Sequence, residues 1–430
     1  MLKRIFTVAV GVMLGATLSV GAAHFASLWG WLPGSELDRS TNTIRDVLKL
    51  VNENYVQAPP AELPKLTRAA LDGMINTLDP HSEYMDPDER KALEEDISNE
   101  FGGIGVQVEL MNDRIVVVAP VAGGPGERAG IQRGDEIVSI DGTKLPRPTM
   151  DSIVTHLRGK PGTKVTVGVL RPSLARELTF NLTRESIRVE TVRDIHLLGD
   201  GIGYVQLTEF GEHTADDFAT AVKQLKTQGL RALVIDLRNN PGGLLDSVVD
   251  VAGNFFNKKE LVVYTQGRNP GDREDYLADP SGPPLTIPLA VIINDGSASA
   301  AEILTGALKD THRAVIVGER SFGKGSVQSI YDLDNGGGLR LTVARYYTPG
   351  GEVIHEHGVS PDVEVIATQE EDRSLMLQRA RADLTDPQEF KTRFGVDRVP
   401  DRQLDAAVAV LRSDLLLEAR AKPTATAANP

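Results

Sequence analysis

Apolar positions along the chain fall into four textures. After Lys3 and Arg4 comes an apolar run from Ile5 to about Ala23, broken only by small or hydroxylated residues and closed by Val20-Gly-Ala-Ala23. A basic flank, an apolar stretch and a small-residue close predict an export signal over residues 1–26. At about 19 residues the run is also long enough to stay in a membrane as an anchor, basic end cytoplasmic. From Ser40 to Tyr55, the residues Ile44, Val47, Leu48, Val51 and Tyr55 recur at helical spacing, and a second helix is expected from about Leu63 to Leu78, before Asp79-Pro-His-Ser82. The acidic stretch Asp88 to Glu100 reads as one more, solvated, helix. Residues 34–98 therefore form an expected helical segment, whose stripes either pack on a core or make an oligomerising arm.

Between 99 and 187 the pattern changes to short β-rich runs, Gly105–Leu110, Ile115–Ala119, Glu136–Ile140, Lys164–Leu170 and Leu178–Leu182, punctuated by glycine and proline. From 188 to 367, β-branched runs alternate with helical patterns: Ile202–Leu207, Ala232–Leu237, Leu289–Ile293 and Ala314–Val317 as buried strands, Thr214–Thr227, Leu244–Phe255 and Ala300–Leu308 as helices. Such alternation predicts an α/β layered sheet. Residues 368–420 read as helical, with Leu404, Ala407, Val408, Leu411 and Leu415 on one face of Asp401–Ala419, and 421–430 as a disordered tail. The fold class expected is multidomain α+β, a β-rich module between a helical segment and an α/β core.

Composition narrows the chemistry. The 430 residues contain no cysteine, which removes disulfides, thiolate metal sites and a cysteine nucleophile. The net charge of −14 repels phosphate backbones, and no basic patch offsets it, so nucleic acid is not an expected partner.

Asn294-Asp-Gly-Ser-Ala-Ser-Ala-Ala-Glu302 joins a buried strand to an apolar helix, a crossing at which a serine can sit exposed near a helix N-terminus. Backbone amides there stabilise a developing oxyanion. Ser297 or Ser299 could equally cap the helix, with Glu302 the capping-box partner of Ser299. The eight histidines offer no base, being scattered over other segments. His355 and His357 lack a third metal ligand and read as solvated loop residues. Lysine remains. Gly318-Glu-Arg-Ser-Phe-Gly-Lys-Gly325 resembles a nucleotide-binding P-loop, but Gly325 stands where Ser or Thr must hold Mg²⁺, and Val327–Tyr331 is β-like where a helix should follow. Lys324, desolvated among glycines, favours its neutral amine and can serve as a general base for a serine. No metal or cofactor is expected.

Phe101-Gly-Gly-Ile-Gly-Val106, Ala129-Gly-Ile131, Gly134-Asp-Glu-Ile137 and Ile140-Asp-Gly142 together resemble a PDZ domain. That resemblance implies that the entry loop, Gly103, Ile104, Gly105 and Val106, presents amides to a peptide's terminal carboxylate while the peptide adds as a strand. With Tyr204-Val-Gln-Leu-Thr-Glu-Phe210, Asp236-Leu-Arg-Asn-Asn-Pro-Gly-Gly243 and the two segments above, the chain from about Ile44 to Asp362 resembles the carboxyl-terminal processing (tail-specific) serine proteases.

The resemblance implies Ser299 as nucleophile, Lys324 as base and Gln328 holding that lysine. It implies oxyanion donors at the amides of Ala300 and of Gly242 or Gly243, and an Arg158 that couples the PDZ domain to the site. It also implies an exported, periplasmic endopeptidase acting on protein chains with free C-termini, tethered to the inner membrane if the first segment is retained. A homodimer or larger assembly and an adaptor protein are further expectations. A catalytically inactive PDZ-bearing scaffold and a P-loop enzyme are the competing readings.

Overall fold

The computed structural model describes residues 35–56, 62–98, 100–111, 114–121, 123–145, 149–381 and 384–421. The export segment 1–26 and most of the expected tail, 422–430, lie outside the described residues. Among the described residues no helix is long and apolar enough to cross a membrane. The chain divides into two compact units, 1–84 and 85–430.

In the first unit, Glu36–Asn54 and Leu63–Ile75 are helices. Ser35 and Asp38 close a capping box at the start of the longer one, which buries none of its residues; Leu37, Ile44, Val47 and Leu50 all stay exposed.

In the second unit, Pro87–Ser98 is helical and leads into the β-rich module. Its antiparallel sheet runs in the order Val106–Met111, Arg114–Pro120, Glu136–Ile140, Lys164–Arg171, Arg176–Thr183, which leaves Val106–Met111 at an edge. Period-two alternation sends Ile115, Val117, Val165, Val167 and Val169 to one face, where Ile153 and Leu157 of the helix Met150–Leu157 complete the cluster. A two-stranded ribbon, Glu100–Gly103 with Glu185–Arg188, closes the module where the chain enters and leaves it.

The core that follows is a six-stranded sheet in the order Val192–Leu197, Ile202–Leu207, Ala232–Asp236, Leu289–Ile293, Val315–Gly318, Val363–Glu364. Its first pair is antiparallel and the rest parallel. Parallel strands are covered on both sides, hence the unbroken apolar runs in the sequence. One face, with Leu233, Ile235, Val291 and Ile293, packs on the helices Thr214–Thr227, Leu245–Ala252 and Ala300–Asp310. The other, with Ala232, Val234, Ala290 and Ile292, packs on Ala407, Leu411 and Leu415 of the helix Arg402–Ala421. The C-terminal stripe is therefore consumed inside this fold. At about 1.5–3 kcal/mol for each fully buried large apolar side chain, it contributes several kcal/mol to the sheet it covers.

A second, antiparallel sheet joins Ser326–Asp332, Gly338–Tyr347, Leu261–Gly267 and Arg273–Leu277. Of these strands only the first was legible as β-like. Arg340 and Tyr346 of the second strand and Tyr276 of the last line the candidate site.

Candidate active site

Three neighbouring parallel strands end on the same side of the core sheet, and each delivers one loop. Ala232–Asp236 leads to Asn240-Pro-Gly-Gly243, Leu289–Ile293 to the turn holding Ser297 and Ser299, and Val315–Gly318 to the loop holding Lys324. The carboxyl ends of adjacent parallel strands are where α/β sheets gather ligands.

Burial separates the two serines that the local pattern left open. Ser297 is fully buried, its hydroxyl donating to the Leu237 carbonyl at 2.7 Å and accepting from the Asn294 amide at 3.0 Å. Ser299 is partly exposed and lines a cavity of about 580 Å³ shared with Lys324, Gln328, Arg340, Gly243, Tyr276 and Tyr346. Its backbone is held at φ +54°, ψ −116°, a region that non-glycine residues rarely occupy and that collects at functional turns. Glu302 does cap this helix start, accepting from the Ser299 amide at 2.8 Å, but that bond uses the backbone and leaves the hydroxyl proton unspent.

Lys324 is half-buried in the same cavity. Burial pushes its ammonium below the ordinary lysine value, and the positive charge of Arg340 pushes it further the same way. Arg340, on the strand Gly338–Tyr347, was not singled out in the sequence because nothing local ties it to a loop 16 residues earlier. The strand Ser326–Asp332 starts two residues after Lys324, where a P-loop would require a helix.

Gln328 reaches the cavity, but its amide nitrogen donates to Ser326 Oγ at 2.8 Å and Thr342 Oγ1 at 3.3 Å, leaving its oxygen as the atom able to accept from a lysine. In the glycine turn, the Gly242 amide donates to Asn240 Oδ1 at 2.9 Å. The bridge between Phe210 and Gly243 uses the Gly242 carbonyl and the Leu244 amide, so it leaves the Gly243 amide outside the ladder. Gly242 has φ +105°, and a Cβ there would come within 2.7 Å of Ser299 Cβ. Gly242→Ala is accordingly expected to displace the serine and lower kcat more than it changes KM, which steady-state cleavage assays would read.

Beneath this turn lies a buried ionic network absent from the sequence reading. Asp236 accepts from Tyr204 Oη at 2.7 Å, Arg238 Nε at 3.0 Å and Arg379 Nη1 at 3.4 Å. Arg238 extends to both oxygens of Asp401 at 2.8 Å and to Gln403 Oε1 at 3.1 Å. Burial alone would push the Asp236 carboxyl up; the two guanidiniums and the tyrosine hydroxyl outweigh it and hold it at about 2.

Other candidates fall elsewhere. Arg158 lies in the β-rich module with its guanidinium 4.3 Å from the centre of the Phe101 ring, and it does not line the Ser299 cavity. Gly103 ends the ribbon strand Glu100–Gly103, and Ile104 and Gly105 lead into the edge strand that starts at Val106, with the Ile104 carbonyl taken by the Gly126 amide and that of Gly105 by the Val121 amide. Among the described residues no group of acidic or histidine side chains could hold a metal ion, and His355 and His357 do not form one.

Comparison with known proteins locates both parts. Residues 201–365 match the model of peptidase family S41, and residues 116–171 that of the PDZ domain. A carboxy-terminal-processing protease of Bartonella bacilliformis is 38% identical over 371 residues, 85% of this chain and 83% of that protein. The carboxy-terminal processing protease CtpB of Bacillus subtilis is 36% identical over 334 residues, 77% of this chain and 69% of that one. Among solved structures, a photosystem II D1 C-terminal processing protease is 33% identical, with a TM-score of 0.45 over 74% of this chain and 86% of that one.

Proposed function

The chain belongs to the carboxy-terminal processing serine proteases of peptidase family S41, with a PDZ domain in the same chain, and on that premise we propose that it cleaves proteins through a Ser299–Lys324 dyad. One observation carries this reading: Ser299 and Lys324 leave the ends of adjacent parallel strands to line one cavity, in which burial and Arg340 favour the neutral amine.

Ser299 Oγ attacks the scissile carbonyl as Lys324 Nζ takes its proton. The C–N bond breaks as that proton passes to the leaving amine, giving an acyl-enzyme; water, deprotonated by the same lysine, then attacks the ester and releases Ser299. The Ala300 amide, at the helix start, supplies one oxyanion donor. The second comes from the glycine turn: from Gly243, whose amide lies outside the ladder, or from Gly242 once it releases Asn240. Gln328 orients Lys324 through its amide oxygen.

The substrate's free C-terminus docks on the amides of Gly103 to Val106 and adds a strand to the edge Val106–Met111, and Arg158 relays that docking toward the site. Amidating the C-terminus of a peptide substrate is expected to raise KM by tenfold or more without changing the bond cut; equal turnover of free and amidated forms would remove the PDZ domain from substrate selection. The protein works outside the cytoplasm, in the periplasm of a bacterium, delivered or tethered by residues 1–26. Two copies associate through the exposed Ile44, Val47 and Leu50 stripe, so a monomer by light scattering would count against that arm. A catalytically inactive scaffold would bind such substrates and leave them whole.

The base must be neutral, so cleavage rises with pH as Lys324 loses its proton, with a midpoint below that of an ordinary lysine. Arg340→Gln removes a neighbouring positive charge, which raises the lysine's affinity for its proton. The rising limb of a kcat–pH profile is therefore expected to move to higher pH, with activity lost at neutral pH and regained in base. A limb that stays in place would separate Arg340 from the base.

A further inference from the structure

Glu302 is buried to zero exposure in the first turn of the helix that follows the nucleophile, and no cation sits against its carboxylate among the described residues. Each oxygen instead takes two donors. Oε2 accepts from the amides of Ser299 and Lys324, both at 2.8 Å; Oε1 accepts from the Gly323 amide at 2.7 Å and Ser321 Oγ at 2.6 Å. Burial pushes the carboxyl above its ordinary value, and these four donors pull it only part of the way back. A helix cap needs only the first bond. The other three cross to a loop about twenty residues further on, and two of them end at the base and the residue before it. One oxygen atom thus holds the backbone of both members of the dyad.

We propose that Glu302 is the positioning residue of this protease, its carboxylate fixing the Ser299 turn and the Lys324 loop at the separation that proton transfer requires. The inference rests on the dyad reading above and extends it to a residue that touches no substrate. Two further bonds run beside it: the Phe322 amide donates to the Ser297 carbonyl at 3.0 Å, and the Ala298 amide to the Asn240 carbonyl at 2.9 Å. These join the loops only through neighbours of the reacting residues, whereas Glu302 joins the reacting residues' own amides. Because Ser299 sits in a sparsely populated backbone region, its amide needs such a partner to stay there.

The geometry separates reach from charge. Glu302→Asp keeps the charge but withdraws the carboxylate by one methylene, so it no longer spans both loops. Glu302→Gln keeps the reach: its oxygen can stay on the Ser299 and Lys324 amides while its NH₂ turns to Ser321 Oγ, leaving the Gly323 amide and the Ser321 hydroxyl proton without their acceptor. Ser321→Ala removes the Glu302 bond that involves neither reacting residue nor its neighbour's backbone, together with the acceptor of the Val359 amide at 2.6 Å.

The full-length protein and these three variants are compared for steady-state cleavage across pH, thermal unfolding and binding of a C-terminal peptide. The expected order is a kcat loss of about 100-fold for Glu302→Asp, about tenfold for Glu302→Gln and within about threefold for Ser321→Ala, with KM and the pH limb little moved. Wild-type kcat in Glu302→Asp would overturn the inference. So would a Glu302→Gln variant slower than Glu302→Asp with a displaced pH limb, which would make the carboxylate's charge on Lys324 the active property. If Glu302→Asp does not fold, Glu302→Gln against Ser321→Ala decides: equal rates overturn the inference. Ser299→Ala is the reference: if it still cleaves, the dyad reading fails and these comparisons lose their premise, and if it is inactive while Glu302→Asp is not, only the positioning role fails.

Discussion

Ser299→Ala and Lys324→Ala are each expected to lose cleavage of an unfolded, apolar-tailed substrate by about 10⁴-fold or more, while unfolding at the wild-type temperature. The size follows from the two roles being one unit. Without Oγ no acyl-enzyme forms, and without a neutral amine the hydroxyl keeps its proton at working pH. The two losses should therefore not add, and the double variant should be no worse than either single one. Lys324→Arg should be as inactive as Lys324→Ala, since a guanidinium does not deprotonate in water. Both positions are partly exposed and neither side chain anchors the apolar core, so stability should change little. Product quantified by mass spectrometry over long incubations checks the loss, and wild-type turnover in either single variant would dismiss the dyad. Loss of cleavage with retained binding of the same substrate would show that chemistry, rather than docking, was removed.

How far the sequence carried this site depends on the distance between the residues concerned. The strand–turn–helix around Ser299 was legible because a β-branched run, a glycine-rich turn and a capping pattern lie within about twenty consecutive positions. The choice between Ser297 and Ser299 was not local: it depends on the Leu237 carbonyl, 60 residues away, which takes the hydroxyl of Ser297. Glu302 was legible as a cap and no more, since its other three donors arrive from positions 321 to 324. Arg340 sits on a hairpin strand that was not singled out in the sequence, and nothing local names its neighbour across the cavity. The stripe Leu404, Ala407, Leu411 and Leu415 read correctly as one helical face, yet its partner could not be read: the face lies on Ala232, Val234, Ala290 and Ile292, leaving only the N-terminal stripe to motivate assembly. Period fixes which residues share a face, and packing fixes what that face meets.

The buried network under the glycine turn yields the second large effect. Arg238→Ala is expected to destabilise the second unit by about 3–5 kcal/mol, because it strands Asp236, fully buried and ionised, with Arg379, the Tyr204 hydroxyl and the backbone amide of residue 238 as its remaining partners. For a folded unit of this size that corresponds to a fall in unfolding temperature of about 4–7 °C, measurable by calorimetry. Asp401→Ala removes the other end of the same network, but Asp401 is 20% exposed, so water replaces part of what is lost and the fall should be clearly smaller. The double substitution Asp236→Leu with Arg238→Met removes both charges and leaves no fully buried carboxylate in this network, and it should recover most of the stability that Arg238→Ala loses. Activity should not recover with it. Arg238 donates to Asp401 at the start of the C-terminal helix, and its backbone leads in two residues to Asn240, whose side chain holds both the Leu207 carbonyl and the Gly242 amide. A stable but slow double variant would assign the network to holding the glycine turn in place. A stable and fully active one would make it a fold determinant alone, with the turn set by Asn240 and the Phe210 bridge.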